Sequence, residues 1–205
     1  MTGGNMQMMS YEQRITDQDE EKEFLKQMQN ILPEIFSVDD DTLYRKLCIK
    51  GLNIDKSLEE ILSKWGQYTE MSNTNNYPCR SWHITFPVIS TDSFYTELTS
   101  ILSISKIQPL FFIAHRFRLK NFDEERLTDM LEDYSGYDYY TAQGINVTQF
   151  HIEIEQYLNQ RDYIKLPSNV MNVAAYTSED GDEQFTIKDL LFTDKYDLWK
   201  NNKMP

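Results

Sequence analysis

Two hydrophobic periods divide this chain, and the change between them constrains the fold more than any other feature. From Asp19 onward the apolar residues recur at helical spacing, with Phe24, Leu25, Met28, Ile31 and Leu32 on one stripe. Pro33 is expected to end that stripe, because the residue before a proline disfavours helical angles. "SVDDD" then offers a cap, and Leu43, Tyr44, Leu47 and Cys48 set a second helix that Gly51 stops. "NIDKSLEEILSKW" starts a third, capped by Asp55 or Ser57, with Leu58, Ile61, Leu62 and Trp65 on one face. The next stretch, "GQYTEMSNTNNYP" from Gly66 to Pro78, is polar and aperiodic and reads as a linker. Beyond it the period becomes two. Trp82, Ile84, Phe86 and Val88 alternate with Ser81, His83, Thr85 and Pro87, which predicts a strand with one buried face.

The rest of the chain mixes both patterns. "STDSFYTELTSILSI" reads as a helix on Phe94, Leu98, Ile101 and Leu102, and "QPLFFIAHRFRLK" as a strand. "NFDEERLTDMLEDY" reads as a helix with acids in its first turn, where the helix dipole favours them. "VTQFHIEIEQYLNQ" fits helix or strand, "NVMNVAAYTSEDG" a strand into a turn, and "FTIKDLLFTDKYDLWKN" a closing helix. The expected fold class is α+β. A flexible leader covers 1–18, a three-helix module 19–66, a linker 67–79 and a small mixed α+β domain 80–205.

Composition excludes several function classes. At 40% hydrophobic and 13% aromatic residues, the chain carries too much apolar surface to stay disordered. Its seven glycines are scattered, which argues against a glycine-rich phosphate loop. A net charge of −13 repels phosphate backbones and anionic membrane surfaces, so neither nucleic acid nor membrane is an expected partner. The one net-basic stretch, 71–120, owes its sign to Arg80, Lys106, Arg116, Arg118 and Lys120. No run reaches the roughly 18 uncharged apolar residues of a membrane span. The N-terminus has neither the basic start nor the apolar run of a secretory signal. Cys48 and Cys79 sit on different elements and supply neither a disulfide framework nor a four-ligand zinc site, so reducing, intracellular surroundings are expected.

Catalytic patterns are fragmentary. His83-Ile84-Thr85 is one half of the paired H-x-T motif of two-histidine phosphoesterases, which use one histidine as acid and the other as base. The other histidines, His115 and His151, are followed by Arg-Phe and Ile-Glu, so the second half is missing. Cys79 and His83 suggest a thiolate–imidazole pair, but four residues of extended chain separate them by roughly 13 Å. "YPCR" slightly resembles the His-Pro-Cys of autophagy-type E2-like enzymes, in which the cysteine follows the sheet instead of preceding it. Ser178 to Phe185 lacks the ligand spacing of a calcium loop and reads as an acidic hairpin or surface loop. Tyr134, Tyr137, Tyr139 and Tyr140 form a tyrosine-rich loop suited to a contact surface or to a packed lid. No catalytic, cofactor or metal residue is assigned, and the chain is expected not to be an enzyme.

Residues 20–66 do carry a resemblance. Three short helices, with Ile31-Leu32-Pro33 closing the first and Ile61-Leu62 late in the third, resemble the CUE branch of the UBA-like ubiquitin-binding domains. That family places Met-Phe-Pro and a di-leucine at the corresponding positions, and "GLNIDKSLEEIL" is similar to its run into helix three. The resemblance implies a three-helix CUE/UBA-like module that binds ubiquitin or a ubiquitin-like protein through Ile31, Leu32, Pro33, Ile61 and Leu62. Leu32 and Leu62 would then lie on an exposed patch and not in the core. The expected function is an intracellular protein–protein interaction adaptor. Its alternatives are an enzyme of ubiquitin-like conjugation using Cys79, or an acidic inhibitor of immunity type.

Overall fold

A computed structural model describes residues 18–36, 42–52, 54–72, 77–123, 126–131, 144–177 and 184–193. At its centre is an antiparallel sheet. Strands β1 (Gln67–Ser72), β2 (Cys79–Thr85), β4 (Phe94–Ser105), β5 (Leu110–Asn121) and β6 (Arg126–Leu131) lie side by side in that order. The chain leaves β2 at Phe86-Pro87-Val88, where proline removes a ladder donor, and rejoins the same edge of β4 as the short β3 (Ile89–Ser90). The equally short β7 (Ile164–Lys165) adds in parallel to β5 at Leu110 and Phe111.

Helices from both ends of the chain cover this sheet. Alternation along the strands sends Trp82, Ile84, Leu98, Leu102, Phe111 and Ile113 to one face. There they meet α3 (Lys56–Trp65) through Leu58 and Leu62, and α4 (Val147–Asn159) through Val147, Phe150, Ile154 and Leu158. Leu110, Phe112 and Ala114 belong to the opposite face. Packed there are α1 (Gln18–Ile35), α2 (Thr42–Ile49), α5 (Ser168–Met171), the β8 (Ala174–Thr177) and β9 (Gln184–Thr186) hairpin, and α6 (Ile187–Phe192).

This architecture overturns the expected fold class. An N-terminal three-helix module ahead of a separate α+β domain does not form, because the three helices close no core of their own. α3 belongs to one core and α1 and α2 to the other, with the sheet between them. The expected linker is also corrected. Gln67–Ser72 is strand β1, paired to β2 through Gln67↔Thr85, Tyr68↔Ile84, Thr69↔His83 and Glu70↔Trp82. Gly66 makes the step from α3 into β1 possible, since a Cβ there would stand 2.2 Å from the Thr85 carbonyl oxygen.

Other elements differ for identifiable reasons. Pro33 lies inside α1 instead of ending it. The extra turn buries Ile35 and Phe36, and Phe36 packs on Tyr44 with ring centroids 5.2 Å apart. Burying two such side chains is worth about 3–6 kcal/mol, enough to offset the roughly 3 kcal/mol cost of proline in a helix. Most of the helix expected over 90–104 is the central strand β4, buried on both faces, and its apolar residues mimic a helical stripe because both faces need them. Part of the helix expected over 121–134 is strand β6. The ambiguous stretch after Asn146 is a helix, with the Asn146 carboxamide oxygen accepting from the Gln149 backbone N–H at 2.9 Å. At the chain's end, α6 opens on a capping box between Thr186 and Asp189. Of the leader expected over 1–18, Gln18 opens α1 and the rest lies outside the described residues, as do the tyrosine-rich loop at 134–140 and the acidic stretch at 178–183.

Candidate functional site

The five residues singled out for ubiquitin binding do not form one surface. Leu32 and Leu62 are both wholly buried, on opposite faces of the sheet. Ile31, beside Leu32 on α1, is 37% exposed, and Pro33 is half-buried. Ile61 packs at the margin of the core that contains Leu62. The exposed patch shared by the first and third helices is therefore not built. An amphipathic stripe needs an apolar neighbour, and here the sheet supplies one to each helix.

Cys79 is not poised as a nucleophile. It opens β2, is buried, and its thiol donates to the Phe192 backbone carbonyl at 3.3 Å. His83 follows four residues later on the same extended strand, paired with Ile101 of β4, so no thiol–imidazole pair forms. Burial first, then the nearby Arg116 charge, holds the His83 imidazole below its ordinary pKa. Cys48 is buried on α2 against the second core, as its helical position predicts.

Two polar assemblies escape any reading of local sequence. In the first, Asp55 caps α3 by accepting from the Ser57 N–H at 2.9 Å, and also accepts a close hydrogen bond from the Ser57 hydroxyl. The Tyr157 hydroxyl of α4 donates to Asp55 Oδ1 at 3.1 Å, and Arg161 Nη2 bonds Oδ2 at 2.7 Å while lying over the Tyr157 ring. Ser57 and Arg161 hold the Asp55 carboxyl far below the usual carboxylate range. One helical turn on, Lys64 and Trp65 Nε1 donate to Glu153 at 2.6 and 2.9 Å. Burial alone would raise Glu153, yet these bonds carry it below its ordinary value. Together these contacts fasten α3 to α4.

The second assembly lies within the apolar face under α4. Ser100 of β4 and His115 of β5 are cross-strand partners, and Ser100 Oγ is 2.9 Å from His115 Nδ1. The His151 ring of α4 stacks on His115, with centroids 4.7 Å apart and planes 19° from parallel. Beside them Lys165 of β7 pairs with Glu155 of α4 at 2.6 Å. Burial, reinforced by His151 and then by Lys165, pushes His115 down to about 2. Burial and then Lys165 push His151 down to about 3. Both rings are neutral at ordinary pH. Ser100 is itself wholly buried, so the serine–histidine contact offers no approach to a substrate.

The surface provides a cleft and an edge. The cleft, about 220 Å³, lies between the start of α3 and the beginning of β2, lined by Ile54, Asp55, Lys56, Glu59, Arg80 and Trp82. Its lining carries both signs of charge, and Arg80 is held by Glu70 at 2.6 Å. The edge is β1, which pairs with β2 on one side; among the described residues no strand lies on its other side. Met71 on this strand is 57% exposed. Among the described residues, no group of three or more histidines, cysteines and carboxylates could hold a metal ion, and no helix is long and apolar enough to cross a membrane. No family model, curated protein or solved structure matches the chain.

Proposed function

We propose that this protein works by binding another protein, which adds an extended segment to the outer edge of β1. The supporting observation is that edge itself: six residues of strand, paired on one side, with Met71 standing exposed on it. A strand edge presents alternate backbone donors and acceptors, and natural proteins blunt such edges with lysine, proline or a bulge. β1 carries no lysine or proline, and its register shift of β-bulge type falls at Met71, between Glu70 and Ser72, which leaves Gln67–Glu70 as the regular stretch of edge. Strand addition takes its affinity from backbone hydrogen bonds and its selectivity from side chains beside them. Gly66 joins this edge directly to α3, so the edge is anchored at one end by the first core.

The partner we propose is ubiquitin or a ubiquitin-like protein, on the sequence resemblance of residues 20–66. The setting we propose is intracellular, in keeping with two buried cysteines that form no disulfide. An edge contact of six residues is small, so the complex is weak and transient. The test titrates ubiquitin into the isotopically labelled full chain while backbone amides are followed. Shifts centred on Tyr68–Met71, absent in Met71→Lys and retained in Ile31→Asp, are the expected result. Shifts centred on Ile31 and Pro33 would move the site to α1 and overturn the edge reading. The absence of any shift at about 1 mM ubiquitin, where even a millimolar Kd half-saturates, would remove ubiquitin as the partner.

A further inference from the structure

We propose that the His115–His151 stack makes the docking of α4 on the sheet proton-sensitive, so that mild acid releases this helix while the sheet stays formed. The geometry points to α4 because the two imidazoles come from the two sides of one contact. His115 belongs to β5 and is wholly buried, while His151 belongs to α4. The charged groups that share the assembly, among the described residues, are Lys165 from β7 and Glu155 from α4. Ser100 of β4 contributes a hydroxyl, at 2.9 Å from His115 Nδ1. The Lys165 ammonium is a positive charge that acts on both rings, and it pairs with Glu155 at 2.6 Å. A proton on either ring therefore adds a cation beside another cation, with the local carboxylate already engaged. A second proton puts two cations face to face at 4.7 Å.

The remaining contacts of α4 are apolar or face α3. Val147, Phe150, Ile154 and Leu158 cover the sheet, and Glu153 and Tyr157 reach Lys64, Trp65 and Asp55. Among the described residues these contacts include no further histidine, the side chain whose ordinary pKa lies between pH 7.5 and 5, so we assign the proton dependence of the contact to His115 and His151. Sign follows from the depressed pKa values of both rings. The released helix binds protons at about pH 6.5 and the docked helix does not. Release is thus favoured as pH falls below about 6.5, by about 30-fold per histidine at pH 5.

Release would uncover Phe86, on which Phe150 of α4 packs edge-on with ring centroids 5.4 Å apart, next to the Gln67↔Thr85 end of β1. The experiment is native-state hydrogen exchange on the full chain from pH 7.5 to 5, corrected for intrinsic rates, comparing amides of α4 with those of β4. The expected result is an α4 opening constant whose logarithm rises toward two units per pH unit, while β4 amides stay protected. In His151→Phe, which keeps a ring but no titrating nitrogen, the slope should fall to one. A flat α4 profile in the wild type would overturn the proposal. So would α4 and β4 opening together, because that is global unfolding. If His151→Phe does not fold, the C2-proton shifts of His115 and His151 in the wild type decide: rings that titrate well below 6.5, in step with the loss of α4 amide protection, support the proposal, and rings that titrate near 6.5 while α4 stays protected refute it.

Discussion

If Leu32 and Leu62 anchor two separate cores, their losses must add. Each side chain is wholly buried, and the buried residues around one are distinct from those around the other. Truncating a buried leucine to alanine removes three heavy atoms from the interior and leaves a cavity that relaxes only in part. The usual cost is 2–5 kcal/mol, so about 3 kcal/mol for each of Leu32→Ala and Leu62→Ala. Sites without shared partners combine to within about 0.5 kcal/mol, which puts the double variant near 6 kcal/mol. A three-helix module, by contrast, would place both leucines where its first and third helices meet. Coupling between neighbours of that kind runs to about 0.5–3 kcal/mol. The assay is equilibrium unfolding in urea of wild type, both single variants and the double, read by helix signal and tryptophan emission together. Added sucrose in all four samples retains a folded baseline should the double variant approach the whole stability of the chain. A coupling energy above 1 kcal/mol would refute the two-core arrangement. So would a cost below 1 kcal/mol for either single change, because the residue would then not be core.

Four further outcomes follow from individual contacts. Gly66→Ala should lower stability by about 3 kcal/mol, since a Cβ 2.2 Å from the Thr85 carbonyl forces the α3–β1 step apart. Gly51→Ala, with open space around it, should barely change the melting temperature. Cys48 and Cys79 should resist a thiol reagent at neutral pH until the chain unfolds; rapid labelling of Cys79 in the native protein would restore it as a candidate nucleophile. Asp55 has a folded-state carboxyl held below its usual value of 3.8, so it stabilises the fold above about pH 4 and loses that contribution as pH falls below it. Asp55→Asn should flatten stability across that window, and an unchanged acid profile would count against the α3–α4 clasp.

Much of the helical half was legible because periodicity and caps agree there. The stripe on Leu58 and Leu62, the Asp55 cap and the glycine at 66 place α3 within a residue of its observed bounds. The α2 span follows from Leu43 to Cys48, whereas Gly51, read as a left-handed terminator, stands past the helix without a left-handed φ. β4 was not legible, because a central strand is apolar on both faces, and Phe94, Leu98, Ile101 and Leu102 satisfy a helical template by coincidence. β1 was hidden by polarity: an edge strand with one half-solvated face needs few apolar residues, and Gln67, Thr69 and Glu70 look like a loop. α4 needed the Asn146 cap to decide between two periods that Phe150, Ile152 and Ile154 both satisfy.

The candidate sites divide along the same line. A helical stripe states that Leu32 and Leu62 are buried against something, and says nothing about whether that neighbour is another helix, a sheet or a second protein. The inferred ubiquitin patch required them to face one another, and that was a statement about tertiary partners made from local spacing. The histidine stack shows the converse. His115 and His151 lie 36 positions apart in sequence, on a strand and a helix, and neither has a neighbour in sequence that marks it. Only the register Ser100↔His115 and the placement of α4 above it bring them together. The β1 edge has a similar standing, since its availability depends on which strand lies last in the sheet order. An edge that begins at Gly66 moves with α3, and α3 is tied to α4 through Asp55–Arg161 and Lys64–Glu153. Any loosening of α4 therefore bears on the strand that we propose receives the partner.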